Sequence, residues 1–273
     1  MSLVVVKVGG DVLLDEAQRE GLGRNVREVI DDGVSVVIIH GGGPQVSALQ
    51  ERVGLRANKV AGRRVTSHED LVVVVQAICG EVNVGLCSTL LAHGVRGFGC
   101  HGASAGMVRA SKRPPVAVPG HDAPVDYGEV GDVTHIDASL VRALVSAGVV
   151  PVIGTLGVDE RGRIFNINAD TTAVALAKAL GADALLLVTA VGGVRTSLAD
   201  AATRIATITP HSARALIDDG TIADGMIPKV EEALSILEEG VGLVAILGAQ
   251  DKGAFRSALR GDGENGTRFV RGM

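Results

Sequence analysis

A chain of 273 residues, 47% of them hydrophobic, can bury a large core as one α/β domain or as two lobes. Its formal charge of −5 gives no whole-protein field that would draw nucleic acid or an anionic membrane, so neither is expected as a partner. With 2% aromatics, no tryptophan and 37 glycines, the composition is that of an aliphatic parallel sheet covered by helices and crossed by many tight turns.

Strand candidates end repeatedly at glycine turns: LVVVKVGG (3–10), VSVVIIHGGG (34–43), VVPVIG (149–154), DALLLVTAVGG (183–193) and GLVAILG (242–248). Helical patterns lie between them. One opens at Asp15, turns Leu22, Val26, Val29 and Ile30 inward and stops at Gly33. A longer one is capped by Ser67 with Asp70 and ends near Gly94. Another begins beside Asp170 and ends at LGA (180–182), and a last one runs from Pro228 to Gly240. The alternation predicts a mostly parallel sheet. The stretch 95–136, broken by Pro and Gly, predicts hairpins projecting from the sheet edge as a lid. No stretch reaches the roughly 18 uninterrupted apolar residues of a membrane span, and no export signal opens the chain, so a cytoplasmic location is expected. Cys79, Cys87 and Cys100 form no CxxC and read as small apolar side chains in a reducing compartment.

Four stretches carry chemistry beyond packing. Lys7 stands at the carboxyl end of a strand, where open α/β sheets bind ligands, although a lone strand lysine can also snorkel at an edge. HGGGPQ (40–45) offers consecutive backbone N–H groups and a helix N-terminus, which suit a phosphate or an oxyanion; tight βα turns use the same residues. It is not a P-loop, and GxGxxG is absent. In NINAD (166–170), Asp170 either caps the following helix or acts in the site. In DGMIPK (224–229), Lys229 occupies a helix's first turn, the end that disfavours a cation, so an anion is expected beside it. Two separated lysines, a glycine cradle and an aspartate suit phosphoryl transfer without a protein nucleophile.

Taken in order, VVVKVGG (4–10), HGGGPQ, GRRVTS (62–67), VDYGEVGDV (125–133), IFNINADTTA (164–173), IADGMIPK (222–229) and GTRFV (266–270) resemble the amino acid kinase family across nearly the whole chain. The resemblance implies an open, mostly parallel sheet sandwiched by helices, forming one domain over 1–273. An N-terminal lobe of about residues 1–165 would bind the acceptor and dimerise, and a C-terminal lobe of about 166–273 would bind the nucleotide. It further implies transfer of the γ-phosphoryl group of ATP to a carboxylate, with N-acetyl-L-glutamate as acceptor, in the second step of arginine biosynthesis. Lys7 and Lys229 would neutralise the phosphoryl group from opposite sides, with Asp170 between them. Gly42 and Gly43 would donate N–H bonds to the phosphoryl group and the acceptor carboxylate. Arg64 and Asn166 would hold the acceptor's α-carboxylate and acetamido end, although a solvated loop arginine is the plainer reading of Arg64. Gly9, Gly10, Ala190, Val191, Gly192, Gly193, Val194 and Arg195, with Thr221, Ile222 and Ala223, would touch the nucleotide. Mg²⁺ would be held by the nucleotide phosphates and water, with no protein metal ligand.

Two departures stand out. Ala190 replaces the aspartate usual in the family's nucleotide turn, and CHGASAGMVRAS (100–111) lacks the family's Gly-x-Asp-Gly turn. The chain starts directly at its first strand, without the extra helix of arginine-inhibited relatives. A homodimer insensitive to arginine is therefore expected, joined through the LVVVVQAI face of helix 68–93. A kinase for a carrier-linked aminoadipate in lysine synthesis, and a catalytically inactive nucleotide-binding protein of the same fold, are the alternatives.

Overall fold

The structure, a computed structural model, describes residues 2–196, 200, 203–222, 226–263 and 265–272. The chain opens with β1 (Leu3–Val8), α1 (Glu16–Asp31), β2 (Ser35–His40) and α2 (Gly43–Arg52), followed by the hairpin β3 (Asn58–Val60) and β4 (Arg63–Val65). Next come α3 (His68–Val75), a π-helical stretch (Gln76–Val82) and α4 (Asn83–Ala92), then β5 (Gly97–His101), β6 (Val108–Lys112) and β7 (Val130–Ile136). The remainder is α5 (Ser139–Ser146), β8 (Val150–Gly154), β9 (Leu156–Val158), β10 (Ile164–Ile167), α6 (Ala169–Leu180), β11 (Ala184–Val188), β12 (Thr207–Ile208), α7 (Pro210–Asp218), α8 (Ile227–Glu238), β13 (Leu243–Leu247), α9 (Ala254–Arg260) and β14 (Thr267–Phe269).

Among the described residues the main sheet has eight strands in the order β12-β14-β13-β11-β1-β2-β8-β5. The pairing is parallel except between β13 and β14. Strand β1 is central: β2, β8 and β5 extend to one side of it and β11 and β13 to the other. Order reverses at β1, so the crevice at its carboxyl end is where such a sheet receives a ligand. The strands read as unbroken aliphatic runs because both faces are covered. Side chains alternate across the sheet, so Val5, Val37, Ile39, Leu185 and Leu187 join the core beneath α6 and α8, while Val4, Val6, Val8, Ile38 and Leu186 join the core beneath α1 and α4. Each fully buried valine contributes about 1.5–3 kcal/mol of transfer free energy.

Helix signals acted where the sequence put them. Asp15 caps α1 by accepting from the Gln18 N–H (2.8 Å). Ser67 and Asp70 form a reciprocal capping box on α3. The continuous helix His68–Ala92 is long and apolar enough to cross a membrane, yet Leu71, Val74, Ile78, Val82, Leu86 and Leu90 pack into the protein core.

The lid expectation for 95–136 is corrected in two ways. Gly97–His101 is the edge strand β5 of the main sheet, and β6 and β7 close with β9 and β10 into a small four-stranded barrel, because β7 pairs with β10 as well as β6. The expected hairpins are present in part, since β6 and β7 pair antiparallel and Val116 and Val125 bridge within their connection; a further hairpin, β3–β4, has six residues, NKV and RRV, too polar and too short to register as strands in the sequence.

Candidate functional site

Alternation along β1 places Lys7 on the face of Val5, toward α6. Asn168 caps α6, its side chain accepting from the Thr171 N–H at 2.9 Å. Asp170 is therefore not the cap but a first-turn residue facing the strand. Its Oδ1 lies 2.5 Å from Lys7 Nζ, with the lysine side chain 14% exposed and the aspartate 29%. The carboxylate offsets the cost of holding an ammonium group in the sheet.

Two glycine turns meet beside this pair. The Gly9 N–H donates to the Val188 carbonyl (3.1 Å) and the Gly41 N–H to the Val8 carbonyl (3.4 Å), tying the turns to the ends of β11 and β1. A Cβ on Gly10 would lie 2.8 Å from Pro44 Cδ and 3.1 Å from the Gly43 nitrogen, so only glycine lets the turns approach this closely. Gln45, 6% exposed, crosses between them, its Nε2 donating to the Gly10 carbonyl at 2.8 Å. Nothing lies within 4 Å of where a Cβ on Gly43 would sit, so the first turn of α2 has open space for a ligand. Its free N–H groups and helix dipole favour an anion there.

Behind the cradle, His40 is fully buried and burial pushes its imidazole down to about 4. Neutral at physiological pH, it donates from Nδ1 to the Gly41 carbonyl (2.9 Å) and accepts at Nε2 from Asn83 Nδ2 (2.9 Å). Asn83 also donates to the Val152 (2.9 Å) and Cys100 (3.2 Å) carbonyls, so three strand ends and the HGGG turn share one brace.

Arg64 is not a solvated loop residue. Its guanidinium donates to the Gly43 carbonyl (3.0 Å), Ser47 Oγ (2.7 Å) and Gln50 Oε1, and Gln50 in turn donates to Asp70. Burial lowers its pKa and Asp70 raises it. Asn166, at the end of β10, donates to Thr66 Oγ1 (3.1 Å). Of the residues expected in the site, Lys7, Asp170, Gly9 and Gly10 line a cleft of about 480 Å³, and Gly42, Gly43, Arg64 and Asn166 line the same cleft.

The other residues expected to touch the nucleotide lie beyond it. The turn after β11 is held by the Gly192 N–H donating to Thr189 Oγ1 (3.3 Å) and by Arg195 Nη2 donating to the Val191 carbonyl (2.8 Å). Gly193 has φ of +139°, and a Cβ there would crowd Arg204 and Thr267 at 3.1–3.2 Å. Ala190 brings no carboxylate. The acidic group beside this turn is Asp251, from the loop after β13, paired with Arg204 at 3.1 Å. Val194 and Ile222 are buried at 0% and 1%, which leaves only their backbones to meet a ligand. The Thr221 N–H donates to Asp219 (2.9 Å), and Ala223 lies outside the described residues. Lys229 is exposed on the first turn of α8; Asp170 pairs with Lys7 and not with it. One turn along α8, Glu232 has its carboxyl raised by partial burial and by Asp170, and lowered by Lys7, so this end of α8 faces the Lys7–Asp170 pair.

Among the described residues no three His, Cys, Asp or Glu side chains assemble to hold a metal ion. All three cysteines are free, with burial pushing the thiols of Cys79 and Cys100 up to about 11 and about 12. Sequence reasoning passed over Gln45, the His40–Asn83 brace, Asp11 and Arg113, although both Asp11 and Arg113 line the cleft. Gln45 and His40 bracket the glycine triplet in HGGGPQ, a signal that was there to use. Arg113 had none, since it reaches the cleft only through the pairing of the small barrel.

Comparison with known proteins points one way. The model of the amino acid kinase family matches residues 2–248. An acetylglutamate kinase of Anaeromyxobacter sp. (strain Fw109-5) is 43% identical over 99% of this chain and 100% of its own length. One from Sorangium cellulosum (strain So ce56) is 41% identical over 98% of this chain and 94% of its own. Among solved structures, smu.665 from Streptococcus mutans UA159 superposes with a TM-score of 0.74 at 31% identity, covering 98% of both chains.

Proposed function

The chain belongs to the amino acid kinase family, and on that footing we propose that it phosphorylates the side-chain carboxylate of N-acetyl-L-glutamate at the expense of ATP. The observation that carries this is the single cleft in which the Lys7–Asp170 pair, two glycine turns, Arg64 and Asn166 converge. An oxygen of the acceptor carboxylate bonds to the γ-phosphorus as the bond to the β–γ bridging oxygen breaks, giving an acyl phosphate and ADP. The acceptor is ionised at neutral pH, so no catalytic base is required, and Asp170 serves to orient Lys7. Lys7 and the N–H groups of Gly42 and Gly43 neutralise charge on the transferring group, while Arg64 and Asn166 hold the acceptor's far end.

The donor set fits a nucleotide: glycine backbone open to the cleft, a helix N-terminus and a lysine. Asp11 and Asp170 are the carboxylates in that cleft, and with Asp170 engaged by Lys7, Mg²⁺ would be held mainly by the phosphates, where it supplies charge neutralisation. Gly9, Gly10 and the 190–195 turn would receive the phosphates, and Lys229 would reach the phosphoryl group from α8. We propose a division into an acceptor lobe and a nucleotide lobe near residue 165, with Gly9 and Gly10 reaching the nucleotide and Asn166 the acceptor across it.

Supporting a homodimer is an exposed apolar face on the expected helix, although most of LVVVVQAI is core, with Leu71, Val73, Val74, Ala77 and Ile78 buried. The exposed face is formed by Val72, Val84 and Leu91 on the long helix and Phe98 on edge strand β5. We place the enzyme in the cytoplasm, with its ATP supply. Hydroxamate trapping of the acyl phosphate from N-acetylglutamate and ATP tests the activity; turnover only with a carrier-linked acceptor, or none, overturns it. Gel filtration at hexamer size overturns the assembly.

A further inference from the structure

Arg113 leaves the end of β6 with its N–H on the Val130 carbonyl (2.8 Å), and in the small barrel Val130 is also the register partner of Asn166. Arg113 and Asn166 thus flank one residue from two strands, and both line the cleft with Arg64. The guanidinium donates through Nε (2.9 Å) and Nη2 (2.6 Å) to the same oxygen, Oδ1 of Asp132. That uses one edge of the fork. No hydrogen bond among the described residues takes Nη1.

The pair is lopsided: the Arg113 side chain is 12% exposed while that of Asp132 is 46% exposed. Here the carboxylate stays outside and the cation lies against the cleft, with its Nη1 edge open to an anion there. The proposed acceptor carries two carboxylates. The reacting one is served by Lys7 and the glycine turns, so the second falls to the arginines.

We infer that Arg113 is a specificity-determining residue: its free Nη1 edge binds the acceptor's α-carboxylate together with Arg64, and Asp132 fixes the plane of the fork. This rests on the reading of the cleft as an N-acetylglutamate site. The test compares KM for N-acetylglutamate with KM for its α-amide, which keeps the γ-carboxylate and the acetamido group but loses the α-charge.

In Arg113→Met, KM for N-acetylglutamate should rise about 10- to 100-fold, KM for ATP should stay within about twofold, and the preference for the acid over the amide should fall about tenfold. A preference left unchanged, whether both KM values rise together or neither moves, assigns Arg113 to strand pinning and overturns the inference. If Arg113→Met does not fold, Arg113→Lys keeps the charge for Asp132 but loses the fork; the preference should then fall about threefold or more, and an unchanged ratio again overturns it. Wild-type protein that phosphorylates neither compound would instead remove the underlying reading, a different result from unchanged discrimination.

Discussion

On the side of the crevice proposed for the acceptor the polar groups are braced from behind: Lys7 by Asp170, Arg64 by Gly43, Ser47 and Gln50, and the HGGG turn by His40 and Asn83. On the side of β11 and β13 the charges are spent on each other or left in solvent, with Arg204 against Asp251 and Lys229 exposed. The first arrangement holds its donors in place before a ligand arrives, which is what electrostatic stabilisation of a transferring group requires. The second must exchange an internal partner for a ligand, or bring α8 closer, so part of any binding energy there goes into rearrangement.

The largest test of this contrast is Lys7→Met. Removing a preorganised charge should lower kcat about 100- to 1000-fold in the hydroxamate assay, with little change in thermal unfolding, since Asp170 stays at a favourable helix N-terminus. A kcat within tenfold of wild type would break the comparison.

The brace behind the cradle is tested by pH. His40 titrates near 4 in the folded chain, against 6.5 ordinarily, because it is buried. As pH falls the unfolded chain takes up the proton first, so His40's contribution is complete above about 6.5 and is lost between there and about 4, a loss of about 3 kcal/mol. Urea unfolding should show that slope in wild type and lack it in His40→Gln. An equal slope in both proteins would exonerate His40.

Smaller effects separate the two sides. Arg64→Ala should raise KM for the acceptor about 30-fold and leave KM for ATP within about twofold. Arg204→Ala should do the converse, raising KM for ATP about threefold to tenfold while costing about 1 kcal/mol of stability through the unpaired Asp251. Steady-state kinetics in which both constants shift together in either variant would erase the boundary between the sides.

The same boundary separates what the sequence made legible from what it hid. The glycine turn after LVVVKV alone put Lys7 at the carboxyl end of a strand, and the order of motifs brought eight predicted residues into one cleft. Local rules also found the caps at Asp15, Ser67 and Asp70, because a cap is a property of four adjacent residues. Strand order is not local. Nothing in GFGCH announces an edge strand, and nothing in VRASK announces that its successor Arg113 turns toward Asn166, more than fifty positions away. Ala190 could be read as a missing carboxylate, but not that Asp251, from another strand's end, stands beside the same turn.

The π-helical stretch Gln76–Val82 is flanked by regular α-helix on both sides. A wide turn of this kind accommodates about one residue more than the α-helix around it. Deleting one residue from it would restore an ordinary helix and keep the flanking turns in register, whereas inserting one more would rotate everything downstream by about 100°. Asn83 would leave His40, and Leu86 and Leu90 would leave the core that now buries them. One-residue insertions should therefore be barred from Gln76–Val82 even at its exposed positions, while a one-residue deletion there should be tolerated.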